Sequence, residues 1–277
     1  EDETIVIEIS KSNKKVSLNR FSIFNTESKK IIINNSKKKA KSSLTGKYID
    51  ANENYDSNDD IADTIIFILP MEAQVSNLSS SIEVLGGVKN LIFSNPNGII
   101  SNGGRYTNIK KLTLASGIYN DVNNISTTGK LTILPTNDEK HLGIDASEID
   151  EVHLIAREID ITGETIIKGM LLIEIGNDTQ IANASKPKYS FQTSSFGNIQ
   201  AGSIKLKSFE PSINVFIVTS IITTIGNIDF NLTGNLLLNS NKAKLISEKS
   251  KLIIAANDLI LENAATISSY NDMTLTL

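Results

Sequence analysis

The segment Gly226-Asn-Ile-Asp-Phe-Asn-Leu232 sets a pattern that returns twice before the end of the chain. It recurs as Ser250-Lys-Leu-Ile-Ile-Ala-Ala256 and again as Asn271-Asp-Met-Thr-Leu-Thr-Leu277. Apolar residues occupy alternate positions in each copy, which is the pattern of a β-strand with one buried face. The copies begin 24 and 21 residues apart, and a period of this length is typical of solenoids.

Two further segments between these copies repeat with a similar spacing. Asn235-Leu-Leu-Leu238 matches Asp258-Leu-Ile-Leu261, and Leu245-Ile-Ser247 matches Thr266-Ile-Ser268. Each repeat therefore contains three short strands, which together make one coil of a parallel β-helix. Because no coil can bury its inward face alone, stability comes from stacking one coil on the next. Ile204-Lys-Leu206 lies one repeat earlier, so the regular coils begin near residue 200.

The rest of the chain contains short aliphatic runs bounded by Gly, Asn, Asp or Ser, without helical periodicity. These runs are 5–7, 31–33, 64–68, 91–93, 112–114, 131–133, 152–155, 159–161 and 171–173. We predict an all-β chain folded as a right-handed parallel β-helix (a solenoid), with β-hairpins that project from it. Residues 1–277 form one domain, with an N-terminal cap and first coils in about 1–60 and regular repeats in about 200–277. About a dozen coils would give a rod on the order of 55 Å long.

The composition excludes several classes of site and partner. The 277 residues include no cysteine, which removes disulfides, zinc thiolates and a cysteine nucleophile. The net charge of −4 argues against general nucleic-acid binding, and the lysine-rich run 37–41 is predicted to be a solvated loop. No apolar stretch reaches the ~18 residues of a membrane span. We interpret the start at Glu1 as a mature or trimmed terminus, and the uncapped strand pattern at Leu277 as leading into further coils.

Residues 90–100 read Asn-Leu-Ile-Phe-Ser-Asn-Pro-Asn-Gly-Ile-Ile and contain a turn motif at Asn95–Gly98. Pro96 fixes φ at the first central position, Asn97 tolerates strained dihedral angles, and Gly98 can supply a positive φ. Taken alone, the motif predicts a tight turn between two strands.

The context of this turn is more specific, since Asn102-Gly103 and Lys111-Leu-Thr-Leu-Ala-Ser-Gly117 follow it. This order resembles the two-partner secretion (TPS) domain of the filamentous haemagglutinin, haemolysin and contact-dependent growth inhibition exoproteins. In that family an Asn-Pro-Asn-Gly turn precedes a segment that ends in a strand and a Thr/Ser-Gly turn. Further segments resemble the family in the same order, and they are 19–25, 33–36, 142–147, 154–159 and 199–204.

The resemblance implies a secretion-targeting domain at the N-terminal end of a much longer exoprotein, whether an adhesin, a haemolysin or a growth-inhibition toxin. Such a domain reaches the periplasm unfolded and binds the POTRA domains of a TpsB- or CdiB-type outer-membrane β-barrel transporter. It then threads outward to the surface of a Gram-negative bacterium, where β-helix folding begins. The resemblance also implies a monomer with no enzymatic activity, cofactor or metal, and a target-cell or host receptor bound by the region beyond this chain.

The candidate secretion motif is a single turn whose residues either contact the transporter or only support folding. Its members are Asn95, Pro96, Asn97 and Gly98. The family segments also supply three secondary candidates, Asn34, Asn35 and Arg157.

Two positions depart from the family pattern. The growth-inhibition branch carries two cysteines soon after the Asn-Pro-Asn-Gly turn, where this chain has Ser101 and Gly104. The family's second turn, Asn-Pro-Asn-Leu, corresponds to Asn52-Glu-Asn-Tyr55. The loss of its proline predicts a less rigid or differently shaped turn.

Other chemistry has weaker support in the residues. Asp50–Asp56 resembles the start of an EF-hand loop, but Tyr55 replaces the required glycine and Ile61 the final glutamate. His141 and His153 lack a nucleophile-elbow motif, and His153 is expected on the outer side of its strand. A stand-alone adhesin that binds host glycans or receptors is the alternative function. A β-helix polysaccharide lyase would need clustered acidic and basic residues, and we find no such set.

Overall fold

The computed structural model describes residues 3–26, 29–122, 124–137, 139–176 and 187–277. Within these ranges the only helical element is a single 3-10 turn at Asn58–Asp60, and no helix there is suited to crossing a bilayer. The strands in chain order are β1 Thr4–Glu8, β2 Val16–Arg20, β3 Lys30–Asn34, β4 Ala40–Lys41, β5 Tyr48–Ile49, β6 Thr64–Ile68, β7 Ser76–Leu78, β8 Ile82–Ser94, β9 Ile99–Asn102, β10 Gly104–Ala115, β11 Gly117–Asp121, β12 Asn124–Thr127, β13 Lys130–Leu134, β14 Leu142–Ala146, β15 Glu151–Ala156, β16 Glu158–Ile161, β17 Glu164–Ile167, β18 Met170–Ile175, β19 Phe191–Thr193, β20 Ile199–Ala201, β21 Ser203–Ser208, β22 Val215–Ile217, β23 Ser220–Thr223, β24 Ile228–Asn231, β25 Leu236–Asn239, β26 Lys244–Ser247, β27 Leu252–Ala255, β28 Leu259–Glu262, β29 Thr266–Ser269 and β30 Met273–Thr276.

The parallel strands stack into three faces. Face 1 contains β1, β3, the first halves of β8 and β10, then β14, β17, β20, β23, β26 and β29. Face 2 contains β2, β6, the second halves of β8 and β10, then β15, β18, β21, β24, β27 and β30. Face 3 contains β7, β9, β13, β16, β19, β22, β25 and β28. Strands β8 and β10 pass from face 1 to face 2 at Gly86–Gly87 and at Asn108, where φ is positive.

The chain runs through faces 1, 2 and 3 in turn, and each such circuit makes one level of the helix. Levels 1 to 4 begin with β1, β3, β8 and β10, and every later level begins with the next face 1 strand. The predicted parallel β-helix is therefore confirmed, with ten levels where about a dozen were expected. The expected number was too high because levels 2 and 4 contain inserted hairpins. At the usual spacing between strands, ten levels rise about 45 Å.

Two of the three predicted alignments of the C-terminal repeats are confirmed. Ile228 pairs with Leu252, and Leu252 pairs with Met273. Leu236 pairs with Leu259 in face 3. The alternating apolar residues of these strands point inward, so the buried positions of one repeat pair with the buried positions of the next.

The third predicted alignment was wrong by one residue. Leu245 pairs with Ile267 rather than with Thr266, and Ser247 pairs with Ser269. The error came from matching the Ile-Ser dipeptides, although a slip of one residue exchanges the inner and outer positions of a strand. In the structure Leu245 is buried and Ile267 packs against the same core.

Aliphatic side chains fill the interior along its length, but the first three levels add a cluster of rings. Phe21, Phe24, Phe67 and Phe93 lie with ring centroids 4.9 to 5.4 Å apart, mostly edge to face. Edge-to-face packing of this kind stabilises by about 1 kcal/mol per pair beyond burial. The N-terminal levels thus have a ring cluster within their aliphatic core.

The inward positions of β2 carry polar residues instead of aliphatic ones. Ser17 and Asn19 are buried. The Ser10 amide donates to Asn19 Oδ1 at 2.9 Å, and Ser17 Oγ donates to the Ser10 carbonyl at 2.6 Å. These hydrogen bonds satisfy the buried polar groups of level 1.

Two antiparallel hairpins, β4–β5 and β11–β12, lie outside the helix, as predicted. The lysine-rich run leads into β4, and Lys38, Lys39 and Lys41 are exposed in agreement with a solvated loop. Hairpin β11–β12 covers a second apolar cluster on the outer side of face 2, which the strand pattern alone did not indicate. The members of this outer cluster are Ile66, Ile92, Ala115, Ile125 and Ile155.

Candidate functional site

The Asn95–Gly98 turn connects β8 to β9 at the corner between faces 2 and 3. Asn95 Oδ1 accepts a hydrogen bond from the Asn97 amide at 2.9 Å, and the Gly98 amide donates to the Asn95 carbonyl at 3.2 Å. Gly98 has φ +127°, and a Cβ there would lie 2.9 Å from the Lys130 carbonyl oxygen. The tight turn predicted from the sequence is therefore present, and it requires glycine at its last position.

The side chains of the turn hold the segment that precedes β7 in level 2. Asn95 Nδ2 donates to the Gln74 carbonyl at 2.8 Å and to Ser76 Oγ at 3.0 Å. Asn97 Nδ2 donates to the Met71 carbonyl at 2.6 Å. The two asparagine side chains thus bind backbone carbonyls of level 2 in the segment before β7, where the chain forms no strand.

The backbone of the turn is fixed from the other side by level 4. The Asn95 amide donates to the Ala115 carbonyl at 3.0 Å, and Thr128 Oγ1 donates to the Pro96 carbonyl at 2.7 Å. A Cβ on Gly129 would lie 2.7 Å from that same carbonyl oxygen, so the two segments are in close contact. As a result Asn95, Pro96 and Gly98 are buried, and Asn97 is exposed.

The Asn52–Tyr55 turn repeats this hydrogen bonding without a proline. Asn52 Oδ1 accepts from the Asn54 amide at 2.8 Å, and the Tyr55 amide donates to the Asn52 carbonyl at 3.1 Å. Asn52 Nδ2 donates to the carbonyls of Ile9 at 3.0 Å and Asn34 at 2.7 Å. The loss of proline therefore leaves these two hydrogen bonds in place, but the turns differ at their last residue, since Gly98 has a positive φ and Tyr55 does not.

Asn34 and Asn35 are buried beside this second turn, at the corner between faces 1 and 2. Asn35 Nδ2 donates to the carbonyls of Ala62 at 2.9 Å and Gly87 at 2.8 Å. Its Oδ1 accepts from the Tyr55 hydroxyl at 2.7 Å. Burial, with the charges of nearby carboxylates, raises the pKa of Tyr55, so the phenol keeps the proton that it donates. The secondary candidates Asn34 and Asn35 are thus separated from the Asn95–Gly98 turn by the width of face 2.

Arg157 lies in the corner between faces 2 and 3, in the same stack of corners as the Asn95–Gly98 turn. Its amide donates to the Gly129 carbonyl at 3.0 Å, and Gly129 packs on Pro96. Its guanidinium pairs with the Glu210 carboxylate, and the side chain is almost fully buried. Hydrogen bonding to Glu210 raises the pKa of Arg157 further above its ordinary value. The pair therefore lies largely buried at the ends of the face 2 strands.

Glu83 was missed by sequence reasoning, although it is a carboxylate that is only 1% exposed. It accepts hydrogen bonds from Ser42 Oγ, from the Ser43 amide and hydroxyl, from the Leu44 amide and from Asn108 Nδ2. Burial would raise the pKa of Glu83, but the hydrogen bonds from Ser42 and Ser43 hold it below its ordinary value. Glu83 thus anchors the loop of hairpin β4–β5 to face 1 as a charged acceptor.

The two histidines make contacts on the outside of the helix. His153 lies between the core residues Val152 and Leu154, so its side chain points outward as predicted. Its Nε2 lies 3.5 Å from Glu174 Oε2. His141 stacks on a phenylalanine ring with centroids 4.0 Å apart. In the described part of the chain, no group of three or more His, Asp or Glu side chains is placed to hold a metal ion.

Comparison with known proteins assigns the fold and the family. The chain resembles the tRNA nuclease CdiA-2 of Burkholderia pseudomallei, with 25% identity over 82% of this chain. It also resembles the adenylyltransferase and cysteine protease IbpA of Histophilus somni, with 27% identity over 99% of this chain. The aligned region spans about 7% of the length of either relative.

The crystal structure of the filamentous hemagglutinin secretion domain has the same fold. It superposes with a TM-score of 0.68 at 20% identity, covering 99% of this chain and 92% of the other. The family model of the TPS secretion domain matches residues 1–254. These residues include both asparagine turns, Arg157 and the first eight of the ten levels, and we conclude that the chain belongs to the family of TPS secretion domains.

Proposed function

We propose that this domain directs a much longer exoprotein to a partner outer-membrane β-barrel, whose periplasmic POTRA domains bind it before it folds. The family match over residues 1–254 carries this proposal. The small fraction of each relative that the chain spans supports an exported leader rather than a complete effector. The protein then acts at the surface of a Gram-negative cell.

Folding outside the cell supplies the direction of export in this proposal. Each completed level presents the edges of three strands, and the next level adds to them in register. Burying about five aliphatic side chains per level stabilises by roughly 1.5–3 kcal/mol each, before the entropy of ordering is subtracted. This stepwise gain in folding free energy opposes the return of the chain into the transporter.

The Asn95–Gly98 turn acts through folding in this proposal, rather than as a docking surface on the folded domain. Its hydrogen bonds join levels 2, 3 and 4. Burial of Asn95, Pro96 and Gly98 leaves the folded turn with one exposed side chain, Asn97.

Secretion of a fused passenger tests the proposal. Asn95→Ala removes the three hydrogen bonds of a buried side-chain amide, and we expect it to abolish secretion and to lower the unfolding midpoint of the purified domain. Asn241→Ala changes an exposed turn asparagine of a later level and should leave both measurements unchanged. Normal export of Asn95→Ala, despite its lower stability, would show that folding of this turn does not limit secretion.

The effector and its receptor are proposed to lie outside residues 1–277. The relatives are named for nuclease, adenylyltransferase and protease activities, and we assign no such reaction to this domain. The exported protein is then an adhesin or a growth-inhibition toxin, and the domain itself is a monomer that serves targeting. Sedimentation of the purified chain at a single monomer mass, and export of an unrelated passenger, are the expected results.

A further inference from the structure

Hairpin β11–β12 gathers the outer side chains of several levels into one cluster. Ile125 of β12 packs with Ile66, Ile92, Ala115 and Ile155, and all five side chains are at most 4% exposed. The four partners belong to β6, β8, β10 and β15, which are the face 2 strands of levels 2, 3, 4 and 5. Contacts of this kind are unusual for a solenoid, in which each level touches only its neighbours.

The outer side of face 2 changes character beyond the reach of the hairpin. In register with Ala115 and Ile155, levels 6 and 7 carry the charged residues Glu174 and Lys207. The column through Ile66 and Ile92 is mixed, because it continues with Thr113, His153, Leu172 and Lys205. The apolar column of Ala115 and Ile155 therefore ends at level 5, the last level that contributes to the outer cluster.

The base of the hairpin is held by the corner that contains the Asn95–Gly98 turn. Ser94 Oγ donates to the Gly117 carbonyl at 2.8 Å, where β11 begins. Thr128, which follows β12, donates through its amide to the Ser116 carbonyl at 3.1 Å and through Oγ1 to the Pro96 carbonyl at 2.7 Å. Both ends of the hairpin are thus fixed, and its position over face 2 is determined.

We propose that β11–β12 is a strap that closes when level 5 has formed and then locks levels 2–5 into one cooperative unit. Ile125 cannot complete its contacts until Ile155 is in place, because Ile155 forms one wall of the cluster. The later levels have no such strap across the described residues and open independently of this unit. The role of the strap in export rests on the proposed function. In that process, the early levels no longer unfold one at a time once the strap has closed.

Hydrogen exchange of the purified 277-residue chain, read by mass spectrometry, tests the strap. Ile125→Asn places an amide in the outer cluster, where it has no matched partner. We expect amide exchange in β6, β8 and β15 to become at least tenfold faster, while exchange in β21, β24 and β27 stays unchanged. The matched control is Ile118→Asn, on the exposed side of the same hairpin, where the side chain is 36% exposed. It should change exchange in neither group.

Two outcomes overturn the proposal. Faster exchange confined to β11 and β12 means that the hairpin stabilises nothing beneath it. A uniform increase that includes β24 and β27 means that levels 2–5 are not a separate unit. If Ile125→Asn does not fold, the milder variant Ile125→Val, which removes one methylene group, is used instead. It must give the same pattern with a smaller increase in exchange rate. Hydrogen exchange needs no transporter. A negative exchange result therefore overturns the strap alone, and the passenger-secretion experiment still tests the proposed function separately.

Discussion

Arg157 and Glu210 form a bidentate ion pair that links two levels of the helix across the level between them. Nη2 lies 2.9 Å from Oε1, and Nε lies 3.1 Å from Oε2. Arg157 follows the face 2 strand of level 5, and Glu210 follows that of level 7. A Cβ on Gly176 of level 6 would lie 2.8 Å from Glu210 Cβ, so the carboxylate-bearing chain packs on the intervening corner.

Removal of one member of this pair should be strongly destabilising. Glu210→Ala leaves the buried guanidinium without its carboxylate, and we expect a loss of about 3 kcal/mol in the free energy of unfolding. The control is Asp229→Ala, which breaks the exposed pair with Lys205 and should cost about 0.5 kcal/mol. Urea denaturation measures both. Equal losses for the two variants would contradict a structural role for Arg157.

Glu83 should make stability depend on pH in the acid range. Its folded-state pKa is lowered, so the carboxylate contributes stability above its unfolded value of about 4.3. That contribution is lost as the pH falls through the lower folded-state value. Glu83→Gln should therefore flatten the fall of the urea midpoint between about pH 5 and about pH 3. Glu248→Gln, at an exposed position, should reproduce the wild-type curve, and a wild-type curve for Glu83→Gln would argue against this assignment.

Gly98 should tolerate no side chain. Gly98→Ala combines a positive φ with a contact of 2.9 Å to the Lys130 carbonyl, and we expect a loss of more than about 2 kcal/mol. Gly46 also has a positive φ, but a Cβ added there would meet no atom within 4 Å. Gly46→Ala should therefore cost only about 1 kcal/mol. The difference between the two melting temperatures isolates the close contact from the backbone strain.

A proline should be accepted in the second turn. Glu53 is exposed and occupies the position of Pro96 in a turn with the same hydrogen bonds. Glu53→Pro should stabilise the domain by about 0.4–1 kcal/mol, because proline restricts the unfolded chain. Pro96→Ala should destabilise by a similar amount. A destabilised Glu53→Pro variant would show that the backbone angles of the turns differ despite their shared hydrogen bonds.

Much of the fold could be predicted from the sequence because the β-helix repeats a local rule. Alternation in Ile228–Asn231 and its copies gives the inward side chains, and the spacing gives the stack. Alignment by residue identity failed at Leu245, where only the buried position fixes the register. The outer cluster under β11–β12 was not predicted, because its aliphatic residues read as ordinary strand residues until a hairpin from another level covers them.

The structure confirms the predicted turn, whereas the contacts of the other candidate residues were not predicted. The turn at Asn95–Gly98 follows from local residue preferences. The burial of Arg157 depends on Glu210, and the role of Glu83 depends on Ser42 and Ser43, which are distant in sequence. Partners of this kind are set by the stacking of levels, and a single sequence carries no local signal for them.

In the proposed export, burial of the Asn95–Gly98 turn makes POTRA binding and folding competing equilibria. In the folded domain the polar atoms of Asn95 are occupied by Gln74, Ser76 and Asn97. A transporter domain that binds those atoms can hold the chain only while level 3 is open. Folding then becomes the release step, and the stability of the turn sets how readily the partner is displaced. A domain folded in advance should fail to bind POTRA domains in a pull-down, whereas the same chain diluted from urea should bind.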